Sequence, residues 1–152
     1  MYKTVIIVED SKEKMWAIRE YIEKEYAKEL YPAVRFEWFW SLTGFIEYMD
    51  RMRGAMKRYT SNYLVIMDLY FPKSSMFPDQ VTGEGWVCIG YMRRKVLHVD
   101  AVICATQEEI DSALPRRVTY SNLLGYIVYN QETGRLYDNE RCIENKKEDH
   151  HS

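Results

Sequence analysis

One short stretch near the start of the chain decides the fold, TVIIVED at residues 4–10. An apolar run ends there in two carboxylates. The pattern returns as YLVIMD at residues 63–68, where a second apolar run ends in Asp68. Continuous apolar runs of this length are typical of strands buried on both faces of a parallel sheet. The two stretches therefore predict an α/β fold.

The carboxylates that end the two runs, Glu9, Asp10 and Asp68, predict a metal site. The carboxyl ends of parallel strands lie at one edge of a sheet, and ligands bind in the cleft outside that edge. Three carboxylates that meet there repel one another unless a cation lies between them. Carboxylate oxygens are ligands that Mg²⁺ accepts, with water completing its coordination. We therefore expect Mg²⁺ in this cleft.

Composition sets the class of protein. A chain of 152 residues with 47% hydrophobic residues is large enough for one domain with a buried core. Its net charge of −2 gives no electrostatic reason to expect nucleic acid binding. The sequence shows no secretory apolar region and no apolar stretch of membrane-spanning length. Cys88, Cys104 and Cys142 are an odd and widely spaced set, which favours reduced thiols. We expect a cytoplasmic protein that binds neither nucleic acid nor membrane.

Helical and extended patterns alternate along the chain, which implies parallel strands with helices on both faces. The alternating residues of the second strand also suit an edge position. The predicted strands are at residues 3–8, 34–40, 63–67, 101–105 and 126–128. The predicted helices lie at residues 11–29, 42–56, about 84–96 and 107–114, and a helical turn is expected at Leu123 and Leu124.

These elements predict one doubly wound sheet of five parallel strands in the order 2-1-3-4-5. Pro32 is expected in the connection before the second strand. Residues 72–82 are expected to form a long loop. We expect the domain to span residues 1–130, followed by a polar segment at 131–152 in which a fifth helix is short or absent.

These motifs, in this order, resemble the receiver domain of bacterial response regulators, which has a flavodoxin-like fold. The resemblance rests on the two acidic strand ends and on Pro72, four residues after Asp68. It extends to VICAT at residues 102–106, which ends in a hydroxyl residue, and to GYIV at residues 125–128.

The resemblance implies a chemistry for each motif. Asp68 is the phosphoacceptor, and Mg²⁺ is held by Asp10, Asp68 and the backbone carbonyl of Tyr70, with Glu9 acting through water. Thr106 donates a hydrogen bond to the phosphoryl group, and Tyr126 is the aromatic switch residue. The implied partners are a histidine kinase or other phosphodonor and a downstream protein. Phosphotransfer is then directed only to the chain itself, so an enzyme acting on other substrates is not expected.

The chain departs from the family at one charged position. Tyr129 stands where the family has a lysine near the end of strand five, and a phenol is neutral at pH 7. Three functions remain open. The first is a stand-alone receiver phosphorylated on Asp68, and the second is a degenerate receiver that binds partners without phosphorylation. The third is a Mg²⁺-dependent phosphohydrolase, against which stands Tyr70 where haloacid-dehalogenase-type enzymes have a second aspartate.

Overall fold

The structure, a computed structural model, describes residues 1–71, 84–95, 97–113, 120–138 and 140–144. The strands are β1 (Tyr2–Val8), β2 (Leu30–Phe39), β3 (Tyr63–Met67), β4 (Asp100–Ala105), β5 (Leu123–Tyr129) and β6 (Leu136–Tyr137). The helices are α1 (Lys12–Glu25), α2 (Leu42–Arg51), α3 (Arg53–Arg58), α4 (Glu84–Arg94) and α5 (Gln107–Ala113), with short 3₁₀ turns at Ala27–Glu29 and Thr60–Asn62.

All six strands form one sheet in the order β2-β1-β3-β4-β5-β6. The first five are parallel, which confirms the doubly wound order 2-1-3-4-5 and the edge position of β2. The sixth strand was not predicted, and it pairs antiparallel with the end of β5. A turn leads into it, where Asn130 Oδ1 accepts hydrogen bonds from the backbone amides of Glu132 and Thr133. Gly134 completes the turn with a φ of 71°.

Four local predictions were wrong. Leu123 and Leu124 belong to β5, because the pairing of this segment with β4 replaces the expected helical turn. Pro32 lies inside β2, where an edge strand tolerates a residue that lacks a backbone donor. The single helix predicted at 42–56 is instead two helices, which meet at Met52. The first helix ends at Glu25 and is followed by a 3₁₀ turn.

Apolar side chains cover both faces of the sheet, because successive residues of a strand point to opposite faces. On one face, Ile6 and Val65 pack in a cluster with residues of α2, α3 and α4. On the other face, Val5 and Ile66 pack with the buried apolar residues of α1. Within the described ranges, no helix combines the length and apolar character that crossing a bilayer requires.

Part of the polar C-terminal segment packs on this sheet. Cys142 and Ile143 are buried in the α1-side cluster, and a Cβ added at Gly125 would lie 2.7 Å from the Cβ of Cys142. The boundary at residue 130 stays a prediction. The loop at 72–82, with Pro72, and residues 145–152 lie outside the described residues.

The buried thiols lead to a first prediction. Cys88 and Cys104 are fully buried, and burial raises the pKa of each thiol to about 12. Since the thiolate is the reactive form, we expect iodoacetamide to leave both residues unmodified in native buffer and to alkylate both in concentrated urea. Peptide mass spectrometry after timed labelling measures this. Fast native labelling of Cys104 would contradict the burial of β4.

Candidate functional site: an acidic cleft with a buried lysine

The pairing of β1 with β3 brings the predicted carboxylates together. Val8 lies opposite Met67 in this pairing, so Glu9 and Asp68 leave the sheet at the same level. The backbone amide of Asp68 donates to the carbonyl of Val8 at 3.0 Å. Glu9, Asp10 and Asp68 can each place a carboxylate oxygen within 4.8 Å of the others. Glu9 and Asp68 are buried, while Asp10 is exposed.

Glu9 is held by its neighbours on three sides. Its Oε1 atom accepts a hydrogen bond from the backbone amide of Ser11 at 3.1 Å. Its carbonyl accepts one from the indole Nε1 of Trp38 at 2.7 Å, and its amide donates to the carbonyl of Phe39 at 3.0 Å. The edge strand β2 therefore fixes this acidic residue from the side.

A lysine that the sequence analysis did not assign to the site lies among these carboxylates. The ammonium of Lys14 is 2.7 Å from Oε2 of Glu9 and 3.1 Å from Oδ1 of Asp68. It also donates to the carbonyl oxygen of Cys104 at 3.0 Å. The whole residue is only 6% exposed. The cleft thus contains a positive charge supplied by the protein itself.

The start of α1 places this lysine. Ser11 is the N-cap, and its hydroxyl accepts a hydrogen bond from the backbone amide of Lys14 at 3.3 Å. Lys14 lies one turn before Ile18, which is also buried against the sheet. Its side chain consequently points to the sheet rather than to solvent.

Burial and charge act against each other in this group. Burial raises the pKa of Glu9, Asp68 raises it further, and Lys14 opposes both. Burial likewise raises the pKa of Asp68, Lys14 lowers it, and Glu109 adds a smaller increase. Burial lowers the pKa of Lys14, but Cys104, Asp68 and Glu9 together raise it by more. Lys14 is therefore held in its charged form, and it offsets part of the effect of burial on the pKa of Glu9 and of Asp68.

Thr106 takes part in a capping box at the start of α5. Its hydroxyl donates to Oε1 of Glu109 at 2.9 Å, and its amide donates to the same atom at 3.0 Å. The Glu109 amide donates back to the Thr106 hydroxyl at 3.2 Å. This reciprocal arrangement satisfies two helix-terminal amides. The hydroxyl has to leave Glu109 before it can donate to a ligand in the cleft.

The three predicted tyrosine positions have different surroundings. Tyr126 is half-buried, with its ring nearly parallel to that of Trp86 at 6.4 Å between centroids. Tyr70 packs against the core cluster on the α4 side of the sheet. The ring of Tyr129 lies under the Lys14 ammonium, with 5.5 Å from Nζ to the ring centroid, within the range of a cation–π contact. Tyr129, which we expect to stand where the resembled family has a lysine, thus faces a lysine from α1.

The cleft itself has a volume of about 510 Å³. It is lined by Glu9, Ser11, Glu13, Lys14, Asp68, Thr106, Glu108, Glu109, Tyr129 and Gln131. Two of these lining residues, Glu9 and Asp68, group with the adjacent Asp10, and three carboxylates this close together suit a hard cation. In addition, the buried Oε2 atom of Glu9 has no aligned hydrogen-bond donor among the described residues, although it forms the ion pair with Lys14. The donor set therefore fits Mg²⁺, with Lys14 beside it.

Solved structures with a similar fold include a receiver domain and a response regulator. The receiver domain of NtrX from Brucella abortus has a TM-score of 0.54, with 95% of each chain covered and 14% identity. The phosphorylated cyanobacterial phytochrome response regulator RcpA has a TM-score of 0.54 and 17% identity over 86% of this chain and 83% of that one. The chain has the receiver-domain fold.

A third receiver structure agrees with this fold. The N-terminal domain of a response regulator receiver protein from Methanoculleus marisnigri JR1 has a TM-score of 0.51 and 15% identity, with 86% of each chain covered. At these identities the likeness concerns the receiver fold alone. No family model matches the sequence. A search of curated proteins likewise finds no match.

Proposed function

We propose that this protein is a response-regulator receiver that accepts a phosphoryl group on Asp68. One observation carries the proposal. Asp68 is buried at the end of β3 in a cleft that it shares with Glu9 and the ammonium of Lys14, with the carboxylate of Asp10 close by. Perturbed carboxylates gathered in a cleft are candidates for a functional site. Their place at the carboxyl ends of β1 and β3 is where α/β sheets bind ligands.

The hydrogen bonds of Asp68 favour one oxygen as the nucleophile. The Lys14 ammonium and the backbone amide of Leu69 both donate to Oδ1, at 3.1 and 2.8 Å. Oδ2 takes part in neither bond and is the oxygen we assign to attack on phosphorus. The leaving group departs with the electrons of its bond to phosphorus, and the product is an aspartyl phosphate. Lys14, beside the same carboxylate, stabilises the added negative charge.

Mg²⁺ would be held by Asp10, Asp68 and the carbonyl of Tyr70, with Glu9 acting through water. When bound, it supplies charge neutralisation for the phosphoryl oxygens.

The signal output then follows from local contacts of this chain. If the Thr106 hydroxyl leaves Glu109 for a phosphoryl oxygen, the start of α5 shifts. Tyr126, on the neighbouring β5, is the side chain that we propose to respond to this shift.

The proposed partners follow from the same chemistry. A histidine kinase or other phosphodonor supplies the phosphoryl group, and a downstream protein reads the altered surface. We propose a cytoplasmic signalling domain over residues 1–130, not an enzyme acting on other substrates, and no nucleic acid or membrane partner.

A second function, a degenerate receiver, is favoured by one specific pair of observations. Lys14 already pairs with Asp68, and the Thr106 hydroxyl already pairs with Glu109. Both groups are thus satisfied within the protein. Such a domain could bind partners with no phosphoryl transfer at all.

Incubation with acetyl phosphate and Mg²⁺, followed by intact-mass spectrometry, distinguishes the candidates. We expect the mass of the wild type to rise by one phosphoryl group, and the adduct to be lost at alkaline pH. Asp68→Asn, which keeps the shape of the side chain, should show no adduct. An unmodified wild type would leave the degenerate receiver as the better reading. Continuous release of phosphate without a stable adduct would instead support the phosphohydrolase.

A further inference from the structure

The position of Lys14 bears on how this cleft binds metal. Its ammonium contacts Oε2 of Glu9 at 2.7 Å and Oδ1 of Asp68 at 3.1 Å. These are two of the three residues that could hold a divalent ion. A buried, hydrogen-bonded cation therefore already lies where a metal would neutralise charge.

The distances limit how far apart two cations can be in this cleft. Mg²⁺ binds carboxylate oxygen at about 2.1 Å. An ion bonded directly to Oε2 of Glu9 or Oδ1 of Asp68 consequently lies no more than about 5 Å from Nζ of Lys14, whatever its direction of approach. Like charges at this separation repel strongly in a site with little water.

Three further contacts keep the lysine in place. The carbonyl of Cys104, on β4, accepts a hydrogen bond from the ammonium at 3.0 Å. The ring of Tyr129 lies 5.5 Å from Nζ, on β5. The Ser11 cap fixes the first turn of α1, from which the side chain extends. Contacts from three separate elements make the ammonium part of the built cleft.

We infer that Lys14 is the resident cation of the cleft and that it competes with a divalent metal for Glu9 and Asp68. Lys14 holds the two carboxylates together when no metal is bound, and its charge keeps the metal affinity low. The affinity of this domain for Mg²⁺ or Mn²⁺ is then determined by a lysine of α1, not by the carboxylates alone. The inference rests on the proposed function only in taking the cleft to be a divalent-metal site.

The test is Mn²⁺ binding to purified, metal-free protein, measured by isothermal titration calorimetry. Lys14→Met keeps an unbranched side chain and removes the charge. We expect its dissociation constant for Mn²⁺ to be at least about tenfold lower than that of the wild type, because a like charge within about 5 Å is gone. The matched control is Lys12→Met, an exposed lysine of the same helix, which should bind as the wild type does.

Two more variants show whether the effect belongs to this cleft. Asp68→Asn combined with Lys14→Met should lose the gained affinity. Tyr129→Lys combined with Lys14→Met returns an ammonium from β5 and should weaken Mn²⁺ binding again. Circular dichroism establishes that each variant is folded, and Lys14→Gln replaces Lys14→Met if the latter does not fold.

Mn²⁺ affinity unchanged or weakened on removal of Lys14 would overturn the inference, as would a gain that survives Asp68→Asn. Phosphorylation is a separate readout. Tighter Mn²⁺ binding by Lys14→Met in a protein that acetyl phosphate never modifies would sink the proposed function and leave the inference standing. Phosphorylation of the wild type with no metal effect of Lys14 would do the reverse.

Discussion

Alanine at position 85 is expected to lower the free energy of unfolding by about 3 kcal/mol or more, the upper end of what overpacking costs. A Cβ at Gly85 would lie 1.8 Å from the carbonyl oxygen of Asp68 and 2.8 Å from its carbonyl carbon. Both are backbone atoms, so no rotamer change relieves the clash. The amide of Gly85 also donates to the carbonyl of Leu69 at 2.9 Å, which ties the start of α4 to the same loop. Either α4 or the loop after Asp68 has to move.

Urea denaturation followed by circular dichroism measures this loss, and Gly54→Ala is the matched control. Gly54 lies in α3, and a Cβ added there meets no atom within 4 Å. Alanine is a better helix former than glycine by about 1 kcal/mol, so the control should be slightly more stable than the wild type. Equal stability of the wild type and Gly85→Ala would show that α4 does not pack on the Asp68 loop at this distance.

Removal of the Lys14 charge should lower the free energy of unfolding by a comparable amount in metal-free buffer. Lys14→Met leaves the carboxylates of Glu9 and Asp68 buried without their cation, and breaking a buried ion pair in this way costs about 3–5 kcal/mol. Part of this loss should return when Asp68→Asn is added, because one of the two repelling carboxylates is then neutral. The free energies of unfolding of the two single variants and the double variant measure the coupling.

The control for this loss of stability is an exposed lysine on the same helix. Lys12→Met on the exposed face of α1 should change stability by no more than about 0.5 kcal/mol. A double variant that loses the full sum of the two single losses would mean that Lys14 and Asp68 do not interact in the folded protein.

Much of the fold could be predicted because its strands carry their own local pattern. The runs at 4–8 and 63–67 are apolar throughout, and the structure buries both in the middle of the sheet. The carboxylates that end these two runs indicated the position of the cleft. The sheet beyond Tyr129 could not be predicted in the same way, because a two-residue strand has no periodicity. The turn residues before it, Asn130 and Gly134, do not by themselves predict a strand.

The lysine in the cleft illustrates a different limit. Lys14 precedes Ile18 by one turn and thus lies on the apolar stripe of α1, a local signal that the sequence analysis passed over. That signal alone does not distinguish a buried lysine from one that extends into solvent. Burial here depends on Asp68 and Tyr129, which are far from Lys14 in the chain. The capping box of Thr106 and Glu109, in contrast, was readable from its spacing alone.

The two margins of the sheet restrict how copies of this protein can join. An unpaired strand edge is a template for pairing with another chain, and natural proteins obstruct such edges. On one side, β2 carries Pro32, which lacks an amide donor, and the charged residues Arg35 and Glu37. On the other, β6 pairs with Val128 and Tyr129 at the end of β5. Strand pairing through β2 is thereby disfavoured, and so is a fibre that needs an open strand edge at both margins of the sheet.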